Sequence, residues 1–292
     1  GAAALVLALV FNYILAYAAG DRHDVVRTVS SISPGVTETE YYTNNEANDD
    51  QTVVYAVNVD LSQNTLITGY KDYDTSGTWG MQRVREQAAA AEANRRVNIV
   101  AAFNGDFYNM GTGEPSGVLV MNGITVKSLA SAQEKNWFAV TEDNKAYIGT
   151  GTLPENTVEA IGGATMLIKD GQINVSESDT TKNPRTAVGI KANGNVLILS
   201  ANGRQEPFSS GYTYYELAEK MLELGCVDAL NLDGGGSATY LAQYAGTDEL
   251  VLANSPSDGQ ERSVSSSLFV VSNSEKTGVF GSAIVSPDNE VY

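Results

Sequence analysis

The chain is short of the side chains on which many enzymes depend: among 292 residues there is one cysteine, Cys226, and one histidine, His23. A lone cysteine excludes an intrachain disulfide and a thiolate zinc cluster. A lone histidine near the start of the sequence excludes a Ser-His-Asp triad, a Cys-His pair or a multi-histidine metal site in the core. Acid and base chemistry therefore falls to carboxylates, tyrosine or lysine. Positive charge is also scarce. Against 35 Asp and Glu there are 18 Lys and Arg, a formal charge of -17, which repels nucleic-acid phosphates and anionic membranes. Nucleic acid is not an expected partner. An anionic small ligand remains compatible where a few arginines and backbone N–H groups make a locally positive pocket.

What is present suffices for a core. The hydrophobic fraction is 42%, with 15 Tyr and 7 Phe, and the length fits one large domain or two. Residues 1–20 are uncharged and rich in Ala, Leu and Val. They read as an apolar helix that is an anchor, an export remnant or a buried helix, and membrane contact is expected only through them. Residues 21–51, dense in Ser, Thr, Asn, Asp and Glu, read as a polar connector. The folded domain is expected over 52–273, with 274–292 as a C-terminal tail.

Within the domain, Val53, Tyr55, Val57 and Val59 alternate with less apolar neighbours, the period of a half-buried strand. Residues 79–96 read as a helix, and 97–103 as a strand buried on both faces. Asp170-Gly171 and Asn193-Gly194 sit between strand-like runs and mark hairpins. Residues 213–224 read as a second helix, opened by a Thr213/Glu216 capping box and closed at Gly225; for Glu216, capping is the expected role. The short strand 229–232 follows, and 250–252 and 268–271 close the domain. Helix-linked and hairpin-linked strands together predict an α+β fold with a mixed β-sheet core, hairpins and a few packed helices.

Three segments carry candidate chemistry. Asn231-Leu232-Asp233-Gly234-Gly235-Gly236-Ser237 places three consecutive glycines after a strand, which costs backbone entropy that an ordinary turn does not require. Such a turn admits close approach of a ligand or an anion held by N–H groups; a plain flexible turn is the competing reading. Asn104-Gly105-Asp106-Phe107-Tyr108 emerges at a strand end, where sites are commonly assembled, although Asn, Gly and Asp also form turns without function. Arg185 and Arg204 flank the two strands of one hairpin. They are expected at the same end of the sheet, where two guanidiniums can grip a phosphodiester by charge-assisted hydrogen bonds. Asp258 to Arg262 reads as a surface turn.

Taken together and in order, these segments resemble the phosphodiester glycosidase family: NGDFY at 104–108, PRTA at 184–187, GRQ at 203–205, ELA at 216–218, NLDGGGS at 231–237, and a closing segment at 254–259 with Arg262. The resemblance covers roughly residues 53–271. It implies a hydrolase that releases a sugar from a sugar-1-phosphodiester and acts on extracellular or cell-surface glycan. On that reading Asp106 and Asp233 are catalytic, and Asn104, Arg185, Arg204, Asn231, Gly234, Gly235, Gly236 and Ser237 bind substrate. Asn202 stands where the family commonly has an acidic residue. No cofactor is required. Two other readings stay open: a non-catalytic glycan-binding module, and a phosphatase or phosphodiesterase using Ca²⁺ or Mg²⁺ on Asp106 and Asp233, with metal ligands otherwise unassigned.

Overall fold

Val57 and Val59 face one hydrophobic cluster while Val54 and Ala56 face another, so their strand, Asp50–Val59, is covered on both sides rather than half-buried. It lies near the middle of a nine-stranded sheet. The computed structural model describes residues 22–45, 50–244, 247–274 and 282–284; the apolar stretch 1–20 lies outside them. Among the described residues no helix is long and apolar enough to cross a membrane.

Two layers of sheet enclose the main core. The nine-stranded sheet contributes Val57, Val188, Ile198 and Leu230, and a five-stranded sheet centred on Asn98–Asn104 contributes Leu66, Phe103, Tyr240 and Leu268. Helix α2 (Tyr214–Glu223) covers the outer face of the large sheet through Leu217, Ala218 and Met221, and helix α1 (Val84–Arg95) covers the outer face of the smaller one through Val84, Ala88 and Ala91. A second five-stranded sheet, including Asn136–Thr141 and Thr157–Gly163, packs Phe138, Val140 and Ile161 into the same core.

The expected mixed sheet is not found: every strand pairing among the described residues is antiparallel. The fold is mainly β, with two α-helices. The reason lies in the crossovers. Helix α1 links Asn64–Tyr70 to Asn98–Asn104, which run the same way but are separated by Ser266–Ser272, antiparallel to both. Helix α2 likewise links Val196–Ala201 to Cys226–Asn231 across the intervening Arg185–Lys191. Each helix connects co-directional strands that are not neighbours.

Two boundaries also change. The expected connector 21–51 contains the strands Arg22–Ser33 and Val36–Asn45, which pair with each other, the second also pairing with Asp50–Val59. Polar composition concealed them, because a strand in an antiparallel sheet needs only one covered face. Even Glu38 is buried there, and its Oε2 accepts hydrogen bonds from Tyr240 (2.6 Å) and Tyr244 (2.8 Å). In the expected tail, Ser282–Ile284 pairs with the outer edge of Arg22–Ser33. Other local expectations match. Asp170 and Gly171 have φ of 51° and 75°, as a tight hairpin needs, and Thr213 and Glu216 form the capping box of α2.

Candidate active site

The strand Asn98–Asn104 ends at the rim between the two main sheets. Asn104 is fully buried and its side chain is engaged at both ends: Nδ2 donates to Asp233 O at 2.7 Å, and Oδ1 accepts from Thr186 Oγ1 (2.7 Å) and Thr239 N (3.0 Å). It ties the two sheets together beneath the glycine turn. Asp233 N donates to Gly105 O at 2.9 Å, so the Asn104–Asp106 segment and the turn are joined by backbone as well.

Each glycine of the turn has a steric cause. A Cβ on Gly234 would lie 2.5 Å from Pro184 O, which accepts the Gly235 N–H at 2.9 Å. Gly235 has φ 59°, and a Cβ there would lie 3.2 Å from both terminal nitrogens of Arg204. At Gly236 a Cβ would overlap the Arg262 guanidinium and the Asp258 carboxylate. The glycines thus allow three different segments to close on one turn. The expected cradle of successive N–H groups is smaller than the sequence suggested. Gly234 N donates to Asp233 Oδ1 (2.8 Å), Gly235 N to Pro184 O and Ser237 N to Gly234 O. Among the described residues, the Gly236 N–H is the donor of this turn left for a ligand.

The arginines divide differently from expectation. Arg204 reaches the turn, steered by Asn183 Oδ1, which accepts from its Nε (3.0 Å) and Nη2 (2.7 Å). Arg185 is buried on the α2 side. Its Nε donates to Tyr212 O (2.9 Å), its Nη2 to Thr181 O (3.1 Å), and its guanidinium lies 3.9 Å over the Tyr214 ring. Side chains alternate along a strand: Thr186 points to Asn104, so Arg185 points the other way and clamps backbone. The second guanidinium at the turn is Arg262, from the segment read as a surface turn. It pairs with Asp258 (Nη2 to Oδ2 2.7 Å) and approaches Ser237 Oγ at 3.4 Å. The residue order in the closing segment was its only sequence signal.

The two aspartates are unlike. Asp106 is 1% exposed; the Gly117 N–H donates to its Oδ2 at 2.5 Å, while its Oδ1 has no hydrogen-bond partner. Gly117 and Gly162 close on the carboxyl so tightly that neither admits a Cβ. Burial, reinforced by the charges of Asp233 and Glu134, pushes its pKa up to about 7 against the opposing Gly117 N–H bond and the nearby Phe107 N–H. Asp233 is half-buried. Burial raises it to about 6, opposed by bonds from Ser237 and the Gly234 N–H and by the positive charge of Arg262. Tyr108 joins this group through Ser237 and Arg262. Asn231 is buried with its Oδ1 unpartnered and its Nδ2 donating to Leu232 O at 2.7 Å. Asn202, also buried, accepts the Ser255 N–H at 3.1 Å and so anchors the closing segment without charge.

The sequence profile of the phosphodiester glycosidase family matches residues 97–271, which takes in every one of these groups. The chain belongs to the phosphodiester glycosidase family. It is 32% identical over 199 residues to the bovine N-acetylglucosamine-1-phosphodiester alpha-N-acetylglucosaminidase and 31% identical over 199 residues to the human one; each match covers 60% of this chain and 36% of the relative. The matched part of this phosphodiester glycosidase family member is thus about a third of the length of those relatives. In fold it is similar to the catalytic domain of the zebrafish N-acetylglucosamine-1-phosphodiester alpha-N-acetylglucosaminidase, described as auto-inhibited by its pro-peptide. The TM-score is 0.67 at 19% identity, over 86% of this chain and 88% of that one. A hypothetical protein from Synechocystis has the same fold (TM-score 0.60, 15% identity, 85% and 64% covered).

The steric reasons for the glycines give a paired prediction. Gly236→Ala displaces only the flexible ends of Arg262 and Asp258, so the variant keeps its melting temperature and loses its site geometry. Gly234→Ala strikes the Pro184 carbonyl, a backbone atom, and destabilises the fold by about 1–3 kcal/mol. Thermal unfolding of the two variants side by side checks this, and equal losses would show that Pro184 does not crowd Gly234.

Proposed function

We propose that this protein is a hydrolase that cleaves the glycosidic bond of a sugar-1-phosphodiester carried by extracellular or cell-surface glycan. The observation that carries the reading is the arrival of Arg204 and Arg262, from segments far apart in sequence, on adjacent glycines of the turn that bears Asp233. The Arg204 guanidinium and the Gly236 N–H, with Arg262 beside them sharing its charge with Asp258, offer donors to a phosphodiester inside an acidic molecule. The names of the bovine, human and zebrafish relatives support N-acetylglucosamine as the sugar.

In this reading Arg204 and Arg262 hold the phosphate, and Asp233, the more accessible carboxylate, attacks or activates water at the anomeric carbon. The departing group is a phosphate monoester whose second pKa lies near about 6, by analogy with a phosphorylated side chain. It leaves with little proton donation, so a site without histidine is adequate. Asp106, sealed beneath the turn, positions the strand end rather than touching substrate, and Asn104 and Arg185 act as braces. The cation alternative is separated from this reading by the chelator arm of the test that follows.

The test is the product pattern from an α-N-acetylglucosamine-1-phosphodiester bearing a methyl group. Free sugar plus methyl phosphate, produced equally with and without a chelator, is the expected result. Sugar phosphate plus methanol, or inorganic phosphate, would overturn the proposal in favour of phosphodiesterase or phosphatase cleavage. Binding without turnover would favour the glycan-binding module.

A further inference from the structure

Arg204 and Arg262 are held at the turn by the same grip with different electrostatics. Each guanidinium sets its Nε and Nη2 on a single side-chain oxygen: Arg262 on Asp258 Oδ2 (2.9 and 2.7 Å), Arg204 on Asn183 Oδ1 (3.0 and 2.7 Å). The first holder is a carboxylate, which takes up the charge that it orients. The second is an amide, which orients without neutralising. Among the described residues Arg204 pairs with no carboxylate, and its terminal nitrogens lie against Gly235.

Asn183 is itself a fixed point. Its N–H donates to Tyr212 O (3.1 Å) and its carbonyl accepts the Tyr212 N–H (3.0 Å). Two glycines let the chain close around it: a Cβ on Gly211 would fall 2.4 Å from Asn183 O, and one on Gly203 would fall 2.6 Å from Pro184 N. The preceding Lys182 is paired with Asp50 and, at 3.3 Å, with Glu216. Arg204 needs such an anchor. It is an exposed, long side chain, and its φ of 58° puts a non-glycine residue in the left-handed region, a conformation that persists where the surroundings impose it.

We propose that Asn183 is a positioning residue for anion binding: its uncharged amide fixes the Arg204 guanidinium on the glycine turn and leaves the positive charge for the phosphate. This rests on the phosphodiester seat proposed for the same turn and names the guanidinium that supplies its charge. Aspartate at 183 would keep both hydrogen bonds and cancel the charge; alanine would remove both bonds and keep the charge. Geometry and electrostatics are therefore separable at one position.

The experiment is calorimetry at low salt with methyl phosphate, the phosphate product expected from the methyl phosphodiester. Asn183→Asp is expected to keep the melting temperature and to weaken binding about tenfold, the effect of one opposing charge at close range near a protein surface. Raising the salt to about 1 M should shrink that deficit. Asn183→Ala is expected to weaken binding about threefold, the cost of ordering one freed side chain. A purely structural role predicts the reverse order, because aspartate rebuilds the bonds that alanine loses. An Asn183→Asp protein that binds methyl phosphate as tightly as wild type, or more tightly than Asn183→Ala, would overturn the proposal. Wild-type protein that shows the expected order but releases no sugar refutes the hydrolase activity alone, whereas wild-type protein that binds no methyl phosphate refutes the anion seat and the role of Asn183 together.

Discussion

Asp233→Asn is expected to fold normally and to lower kcat for sugar release by about 10²–10⁴-fold, the usual contribution of a positioned acid or base. The substitution keeps the shape of the turn, since an amide oxygen can still accept the Gly234 N–H, and removes the charge that faces Arg262. The same group should set the acidic limb of the pH–rate profile. Burial raises Asp233 to about 6, and the reaction needs it ionised, so activity falls as pH drops through that value. Full profiles of kcat and of kcat/KM check this. A variant that still turns over at the wild-type rate would refute the assignment, as would a wild-type profile flat from about pH 5 to about 7, the range in which such a group titrates.

Asp106→Asn should change stability rather than merely activity, and with an unusual sign. In the folded protein this carboxyl titrates near about 7 instead of 3.8, so the native state holds its proton where the unfolded chain has released it. Stability is then greatest at low pH and declines as pH rises from about 4 to about 7. A displacement of that size corresponds to roughly 4 kcal/mol. Asparagine keeps the acceptor for the Gly117 N–H and carries no charge. Its melting temperature should therefore exceed that of the wild type at about pH 8 and approach it near about pH 4, two conditions that bracket the titration. Asp233 contributes in the same direction but is present in both proteins, so the difference between their pH–stability curves reports Asp106. A variant less stable than wild type on the alkaline side would show that the carboxyl is not held neutral by burial.

Much of this site was legible in the sequence because turn chemistry is local. Three glycines after a strand announce a close approach, and the Asp170-Gly171 pair announces a hairpin. The Thr213/Glu216 box likewise marks the start of α2 from a single short segment. What could not be read was set by distant partners. Arg185 and Arg262 look alike in sequence; only the alternation of side chains about Thr186 sends the first to Tyr214, and only the packing of 254–262 brings the second to Gly236. The antiparallel sheets were hidden for the same reason, because Ser266–Ser272 enters between two strands that lie far upstream of it, Asn64–Tyr70 and Asn98–Asn104. Glu38 shows the limit of composition: it reads as solvent-facing until Tyr240 and Tyr244 arrive from the opposite sheet.

The strand Val196–Ala201 is buried along its whole length and is flanked on its outer side by Asp50–Val59, which precedes the family-matched stretch. A recombinant fragment trimmed to residues 97–271 would leave that strand as a bare, apolar margin with a row of unpaired N–H and C=O groups, a template for chain-to-chain growth. Solubility of such fragments, followed by light scattering, should therefore depend on retaining the upstream hairpin even though it contributes no group to the turn.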